Sequence, residues 1–475
     1  MATPDVPPYH PSNLTCGLLD CHRRLIRGWA IFQPSRSLIL LSYKRLIRTP
    51  TTKEWERFRT YTHRVVELHV GRSFIGEVSP ETISFLGIRS TLDQLWPRLT
   101  SLRLSNKPGW NSLVSTLGFL SPKVKTLTLI LPRNPSILLR PVLSTASVRC
   151  NQVQELVLDV VADDPNSAHW VGEFIAASRD TLRTLEIQSP FRGEYLPAIA
   201  NLPHLWKLRL DKAHFPSDLP PNSFPVLEEF IFPRFQGRRL YHFLRNLRTT
   251  SLKVAKIYST DPVGFTELAA VLSRFSESLM FLEISAVTGL DLFSATVLRS
   301  PFTNLRVLHL RCFRYGEAPH SSCTFRPSDQ SIADLGASMP YLTNLSLGSP
   351  NCIHLQYATF LSLVSLSKTC CDLETLEIKI DFETMITLPH SAPEGAGSNA
   401  VPDKTRGSGC RLRKLALGLS IIPDCPGAGW VVAIGLGKIF PSLAEVWGCG
   451  PERYRWEEVW TNIKASQQVL RAMGQ

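Results

Sequence analysis

Several stretches of the sequence bring together residue types capable of chemistry. Around Gly437 and Lys438, AIGLGKIF resembles the close of a phosphate-binding loop, where glycine amides cradle phosphate oxygens and a lysine pairs with their charge. That loop also needs a glycine five residues before Gly437 and a Ser or Thr after the lysine. Val432 and Ile439 stand there instead, so helix or loop packing accounts for the glycines. His63 and His69 form the nearest upstream pair among twelve histidines, but neither has a Cys or second His at metal-ligand spacing. Asp163 and Asp164 are adjacent, so their side chains diverge and read as a solvated turn rather than an acid/base pair. Cys370 and Cys371 precede an apolar phrase and read as small buried apolar residues. NLT at Asn13 and NLS at Asn344 match the glycosylation pattern by chance, the second beginning inside a repeat. No HExxH, GxSxG or calcium-loop pattern occurs. With no grouped set of titratable residues, the chain reads as non-enzymatic, with no cofactor and no metal.

The elements that would position any binding residues come from a repeat. From residue 65 to 448 a six-residue phrase recurs: apolar, two variable, apolar, one variable, apolar. It runs from VVELHV at Val65 through LWKLRL at Leu205 and LRVLHL at Leu305 to a degraded LAEVWG at Leu443, fourteen copies in all. Their mean spacing of about 29 residues lies at the upper edge of the leucine-rich-repeat range. Proline often precedes the phrase, as at Pro97, Pro203, Pro225, Pro340 and Pro441, where it ends the returning segment before the strand. The fourth and sixth positions are two apart and share one side of a short strand. Stacked copies therefore bury one apolar ladder that no single copy could close. The expected fold is α/β: a leucine-rich-repeat solenoid, a horseshoe of parallel strands with helices on the convex side, preceded by a short helical N-terminal segment.

Between phrases, Val171 to Leu185 and Phe265 to Leu279 carry apolar residues at helical spacing. The phrase lacks the asparagine of ideal repeats, so the solenoid is irregular. The expected organisation is a poorly defined 1–37, a junction over 38–64, and the solenoid over 65–448 with insertions near 313–330 and 388–409. A C-terminal segment, 449–475, follows, whose amphipathic helix sets Trp456, Val459, Trp460, Ile463 and Val469 over the open end.

The third and fifth phrase positions face outward on the concave side. They are mixed in sign, with Glu155, Glu229, Glu283, Glu377 and Lys414 among them. The candidate partner-binding residues are Arg103, Glu186, Lys207, Arg209, Ile231, Lys256, Phe281 and His309. Lys207, Arg209 and Lys256 would form a basic patch, with Phe281 and Ile231 as apolar anchors.

At 475 residues and 44% hydrophobic, the chain is too long and apolar for a disordered tail. No apolar run approaches twenty residues, which excludes a spanning helix, and Leu38 to Leu41 is too short for a signal-peptide core. Eleven scattered cysteines with no CxxC pair read as reduced thiols of a cytoplasmic or nuclear protein. The net charge is +12, and between Cys21 and Arg72 twelve basic residues face only Glu54, Glu56 and Glu67. Such a field attracts an acidic partner. Trp29, Tyr43, Trp55, Phe58 and Tyr61 interleave the charges, but no nucleic-acid-binding motif accompanies them, so neither nucleic acid nor membrane is expected.

Leu38 to Val70, with Trp55, Glu56, Arg57, Phe58, Tyr61, Arg64 and Val65, resembles the junction in F-box/leucine-rich-repeat proteins of mushroom-forming (basidiomycete) fungi. In that family an F-box helix runs into an extended link, and a WERF-like helix then enters the first repeat. The resemblance extends through the repeats and the tail at Trp456 and Trp460. It implies a non-enzymatic substrate receptor of a cullin-type (SCF) ubiquitin ligase that holds its target on the concave face. An acidic cullin-adaptor protein would dock at Leu38, Leu41, Leu46 and Ile47. The family's Leu-Pro-x-Glu phrase is not found before Leu38, so the F-box is either degenerate or truncated. The alternative is a repeat scaffold with no ubiquitin link.

Overall fold

The period-two alternation of the phrase sets the strands. In LRVLHL, Leu308 and Leu310 are fully buried on one side, while Val307 and His309 face the other. The computed structural model describes residues 31–32, 37–39, 51–71, 96–105, 117–131, 136–160, 165–188, 196–211, 219–220, 223–235, 237–259, 265–286, 302–312, 325–348, 358–383, 385, 410–448 and 453–472. They fall into two units, Met1–Pro190 and Phe191–Gln475.

In the first unit, strands β1 (Ile31–Phe32), β2 (Ser37–Ile39), β3 (Glu67–Gly71), β4 (Ser101–Ser105), β5 (Thr126–Ile130), β6 (Glu155–Asp159) and β7 (Thr184–Ile187) follow one another in chain order. β1 pairs antiparallel with β2, and every later pair is parallel. Helix α1 (Thr52–Thr62) leads into β3, α2 (Ser136–Arg149) lies between β5 and β6, and α3 (Pro165–Ala177) between β6 and β7. The helix expected over Val171 to Leu185 thus ends at Ala177, because Leu182 and Leu185 are claimed by the next phrase and buried in its ladder.

The second unit repeats the plan with β8 (Lys207–Leu210), β9 (Glu229–Phe235), β10 (Val254–Ser259), β11 (Phe281–Ala286), β12 (Val307–Cys312), β13 (Asn344–Leu347), β14 (Thr375–Glu377), β15 (Lys414–Gly418) and β16 (Glu445–Gly448). All its neighbouring pairs are parallel. The helices are α4 (Leu196–Ala200), α5 (Gly237–Arg245), α6 (Phe265–Leu272), α7 (Asp329–Ser338), α8 (Phe360–Thr369), α9 (Ala428–Ile439) and α10 (Arg453–Ala472). The fold is an α/β leucine-rich-repeat solenoid, and the phrases carry strands β3 to β16.

The rungs before the degraded last one bury their first, fourth and sixth phrase residues, as with Leu205, Leu208 and Leu210 or Leu279, Leu282 and Ile284, all at 0% exposure. Three such side chains contribute roughly 5–9 kcal/mol of gross apolar stabilisation per rung, most of it offset by the entropy of ordering the chain. The missing asparagine has substitutes. In the second unit Thr249 Oγ1 donates to Leu227 O (3.0 Å) and Ser278 Oγ to Leu252 O (2.8 Å). In the first, Thr181 Oγ1 donates to Val153 O at 2.8 Å. Short hydroxyl side chains thus satisfy carbonyls of the preceding rung, which strand pairing leaves open.

The two ends differ from expectation. Within 1–37, Ile31–Phe32 and the start of Ser37–Ile39 form strands rather than irregular chain. At the other end Trp456, Val459 and Ile463 are buried as expected, but Val469 is 57% exposed and Trp460 only half-buried, with Lys464 Nζ 5.4 Å from its ring. The inward face of α10 continues through Gln467, whose amide donates to Pro441 O and Leu443 O. Steps of three and four residues from Trp456 lead to Gln467 and leave Val469 off that face. The insertion expected over 388–409 lies outside the described residues, as does 313–324 of the other.

Candidate protein-binding face

Strand pairing fixes which outward side chains are neighbours. In the second unit the fifth phrase positions run Arg209, Ile231, Lys256, Glu283, His309, Ser346 and Glu377 on consecutive rungs. Two residues further along the strands, Tyr258, Ser285 and Arg311 form a parallel row.

The charged members of these rows are linked. Tyr258 Oη donates to Glu283 Oε1 at 3.0 Å, and Glu283 is only 9% exposed. Burial, reinforced by the Glu283 charge and hydrogen bond, pushes the Tyr258 hydroxyl up to about 12, so it stays a proton donor. Arg311 reaches over two rungs. Its Nε donates to Ser346 Oγ and its Nη2 to Glu377 Oε2, both at 3.1 Å, while Ser346 Oγ donates to the same carboxylate oxygen at 2.6 Å. His309 lies between the two groups. Burial first, and the Arg311 charge second, lower its pKa from the ordinary 6.5, which favours neutral imidazole near pH 7. The Phe281 ring takes the His309 ring edge-on at 5.6 Å, and Lys256 Nζ stands 4.8 Å from its centroid.

The sequence-expected residues divide accordingly. Lys256, Phe281 and His309 meet in one cluster. Lys207 closes on Glu229 (3.0 Å) and Arg209 on Asp211 (3.5 Å), so the expected basic patch has local acidic partners. Ile231 is half-buried between Arg209 and Lys256 on the same row. In the first unit Arg103 is exposed on β4, and Glu186 on β7 accepts from Gln188 Nε2 at 2.6 Å. Leu38 lies in β2, opposite Leu68 of β3. Leu41, Leu46 and Ile47 lie outside the described residues. Tyr258, Arg311 and Ser346 were not singled out from sequence, although continuing the alternation past the phrase would have reached the first two.

The other groupings resolve as packing. Gly437 lies inside α9, where a Cβ would stand 3.4 Å from Ser466 Oγ of α10, and no loop forms there. His69 Nε2 pairs with Glu67 Oε1 at 2.8 Å, while His63 is exposed. Cys370 is fully buried, its thiol directed at Met339 O and Gly336 O, but Cys371 is only half-buried. Asn344 begins β13 between Val307 and Thr375, while Asn13, Asp163 and Asp164 lie outside the described residues. Among the described residues no group of three or more His, Cys, Asp or Glu could hold a metal, and no helix is long and apolar enough to cross a membrane.

Fold and face together define a leucine-rich-repeat solenoid whose open strand surface carries ordered polar and aromatic side chains. No protein-family model matches the chain, and no curated protein matches it. Among solved structures, a chain of the crystal structure of the Rad7 and Elc1 complex in yeast is similar to it. The match has 14% identity over 84% of this chain and 89% of that one, with a TM-score of 0.44.

Proposed function

We propose that this chain is a non-enzymatic receptor that captures a target protein on the open strand face of its second unit, as a subunit of a cullin-type ubiquitin ligase. The observation carrying the capture function is the Tyr258–Glu283–His309–Arg311–Ser346–Glu377 face, whose hydrogen bonds, with the Phe281 ring against His309, set its polar groups before any partner arrives. Such ordering lowers the entropy cost of association, and Phe281 offers an aromatic anchor beside it. The ligase link is supported by the resemblance of Leu38 to Val70 to the F-box/leucine-rich-repeat junction, and an acidic adaptor is its expected partner. A second reading, a repeat scaffold without a ligase link, is favoured by Ser37–Ile39. That segment pairs as a strand with β3, where the family has helix and link.

A photo-crosslinking phenylalanine analogue in place of Phe281 tests the capture face. The expected result is a discrete crosslinked protein that disappears when Lys256→Glu and Arg311→Glu are introduced. Equal crosslinking from an analogue placed at exposed Leu361 on α8 would remove the strand face from consideration.

A further inference from the structure

A second surface lies at the edge of the second unit where return segments lead back into strands. There the second phrase residue of each rung forms its own ladder. The amides of Lys253 and Val254 both donate to Glu228 O, those of Met280 and Phe281 to Lys253 O, and those of Arg306 and Val307 to Met280 O. Lys253, Met280 and Arg306 therefore follow one another at the strand spacing of about 4.8 Å. Met280, 39% exposed, stands between two exposed cations. The segments leading into these strands add Arg245 at the end of α5, Arg248 and Arg274, all exposed. Arg274 is fixed across its neighbour, donating to Arg245 O (2.9 Å) and Leu247 O (3.4 Å). Over 223–228, 245–253, 273–280 and 302–306, five cations (Arg245, Arg248, Lys253, Arg274, Arg306) face two acids (Glu228, Glu277), leaving +3. Glu228 is taken by Lys253 at 2.8 Å, whereas Arg248 and Arg306 make no ion pair among the described residues.

We infer that this edge docks an acidic, leucine-bearing segment of a partner protein, separately from the open strand face. The charge fits such a segment, since an edge with a net positive balance attracts carboxylates and speeds encounter. Met280 supplies the apolar contact. Its unbranched, polarisable side chain adapts to an aliphatic partner, and Met and Arg are enriched in protein interfaces. A nucleic-acid strand suits the edge less well. Its uninterrupted phosphates would meet Glu228 and Glu277, and the ladder of Lys253, Met280 and Arg306 itself carries no ring for a base to stack on. Trp206, the exposed ring one rung further along, lies beyond Glu228.

The test uses the full chain and three fluorescent probes at physiological salt: a peptide alternating glutamate and leucine, one alternating glutamate and serine, and a single-stranded oligonucleotide. The glutamate–leucine peptide should bind best. Arg248→Glu with Arg306→Glu should weaken it by roughly tenfold or more, and Met280→Ser should erase its advantage over the serine peptide. Phe281→Ala, on the strand face, should leave it unchanged, which separates failure of this inference from failure of the target-capture reading. Circular dichroism checks that each variant is folded. The inference is overturned if the folded double variant binds as the parent does, if Phe281→Ala weakens binding equally, or if the oligonucleotide binds more tightly than either peptide.

Discussion

Two adjacent residues of β12 provide a sharp test of the strand register. Leu310 points into the ladder with no exposed surface, whereas His309 stands on the outer face with the Phe281 ring at 5.6 Å. Leu310→Ala removes buried carbons from a site walled by Ile284 and Leu347, the paired residues of the next strands. Those strands are held by ladder hydrogen bonds, so the site relaxes little and the expected loss is about 3–5 kcal/mol. His309→Ala removes one edge-to-face contact from a half-buried position, a loss of about 0.5–1.5 kcal/mol. Urea unfolding followed by circular dichroism gives both values. Hydrogen exchange on β11 to β13 then shows whether the damage stays on neighbouring rungs, as nearest-neighbour coupling in a solenoid requires. A one-residue register slip would exchange the roles of the two residues. Equal losses, or a larger loss for His309→Ala, would refute the register and the outer face built on it.

Further outcomes follow from the same geometry. Trp456→Ala should cost about 3–5 kcal/mol, because the buried indole fills the last rungs and donates to Ser420 O at 3.1 Å. Gly448→Ala should cost about 1–3 kcal/mol, since its Cβ would lie 2.1 Å from Trp456 Cδ1; thermal unfolding checks both. Arg311→Gln should raise the His309 pKa and Glu283→Gln should lower it further, as read by NMR titration. Because the fold holds His309 below 6.5, its unfolded form takes up protons first. Stability should therefore be constant above that pH, fall as pH drops through 6.5 to the lowered folded value, and fall no further from this residue below it. Iodoacetamide at pH 8 should modify exposed Cys425 in the native protein and spare Cys370 and Cys410. Burial pushes the Cys370 thiol up to about 11 and raises Cys410 as well, and peptide mapping distinguishes them.

The solenoid was legible because burial in it obeys a short local rule. Val65, Leu68 and Val70 predict their own burial as well as Leu412, Leu415 and Leu417 do theirs, with no long-range information needed. What the phrase hid lies just beyond it. Tyr258 and Arg311 sit two residues past the fifth position, and their importance depends on a carboxylate supplied one rung on for Tyr258 and two rungs on for Arg311. Pairing is likewise invisible in composition. Lys207 and Arg209 looked like free cations, but Glu229 comes from the following rung and Asp211 from the following turn. Strands β1 and β2 were missed because two or three residues carry too little alternation to register. Val469 continues the apolar series along α10 but lies off the inward face, which runs from Ile463 to Gln467.

The most direct measurement of the proposed role is co-purification of the full chain with the acidic cullin adaptor, using size exclusion with light scattering. The account predicts a stable complex that survives charge reversal on the open strand face, since Lys256→Glu and Arg311→Glu should affect target capture alone. A folded chain that elutes free of the adaptor across a range of salt concentrations would contradict the ligase role and leave a repeat scaffold.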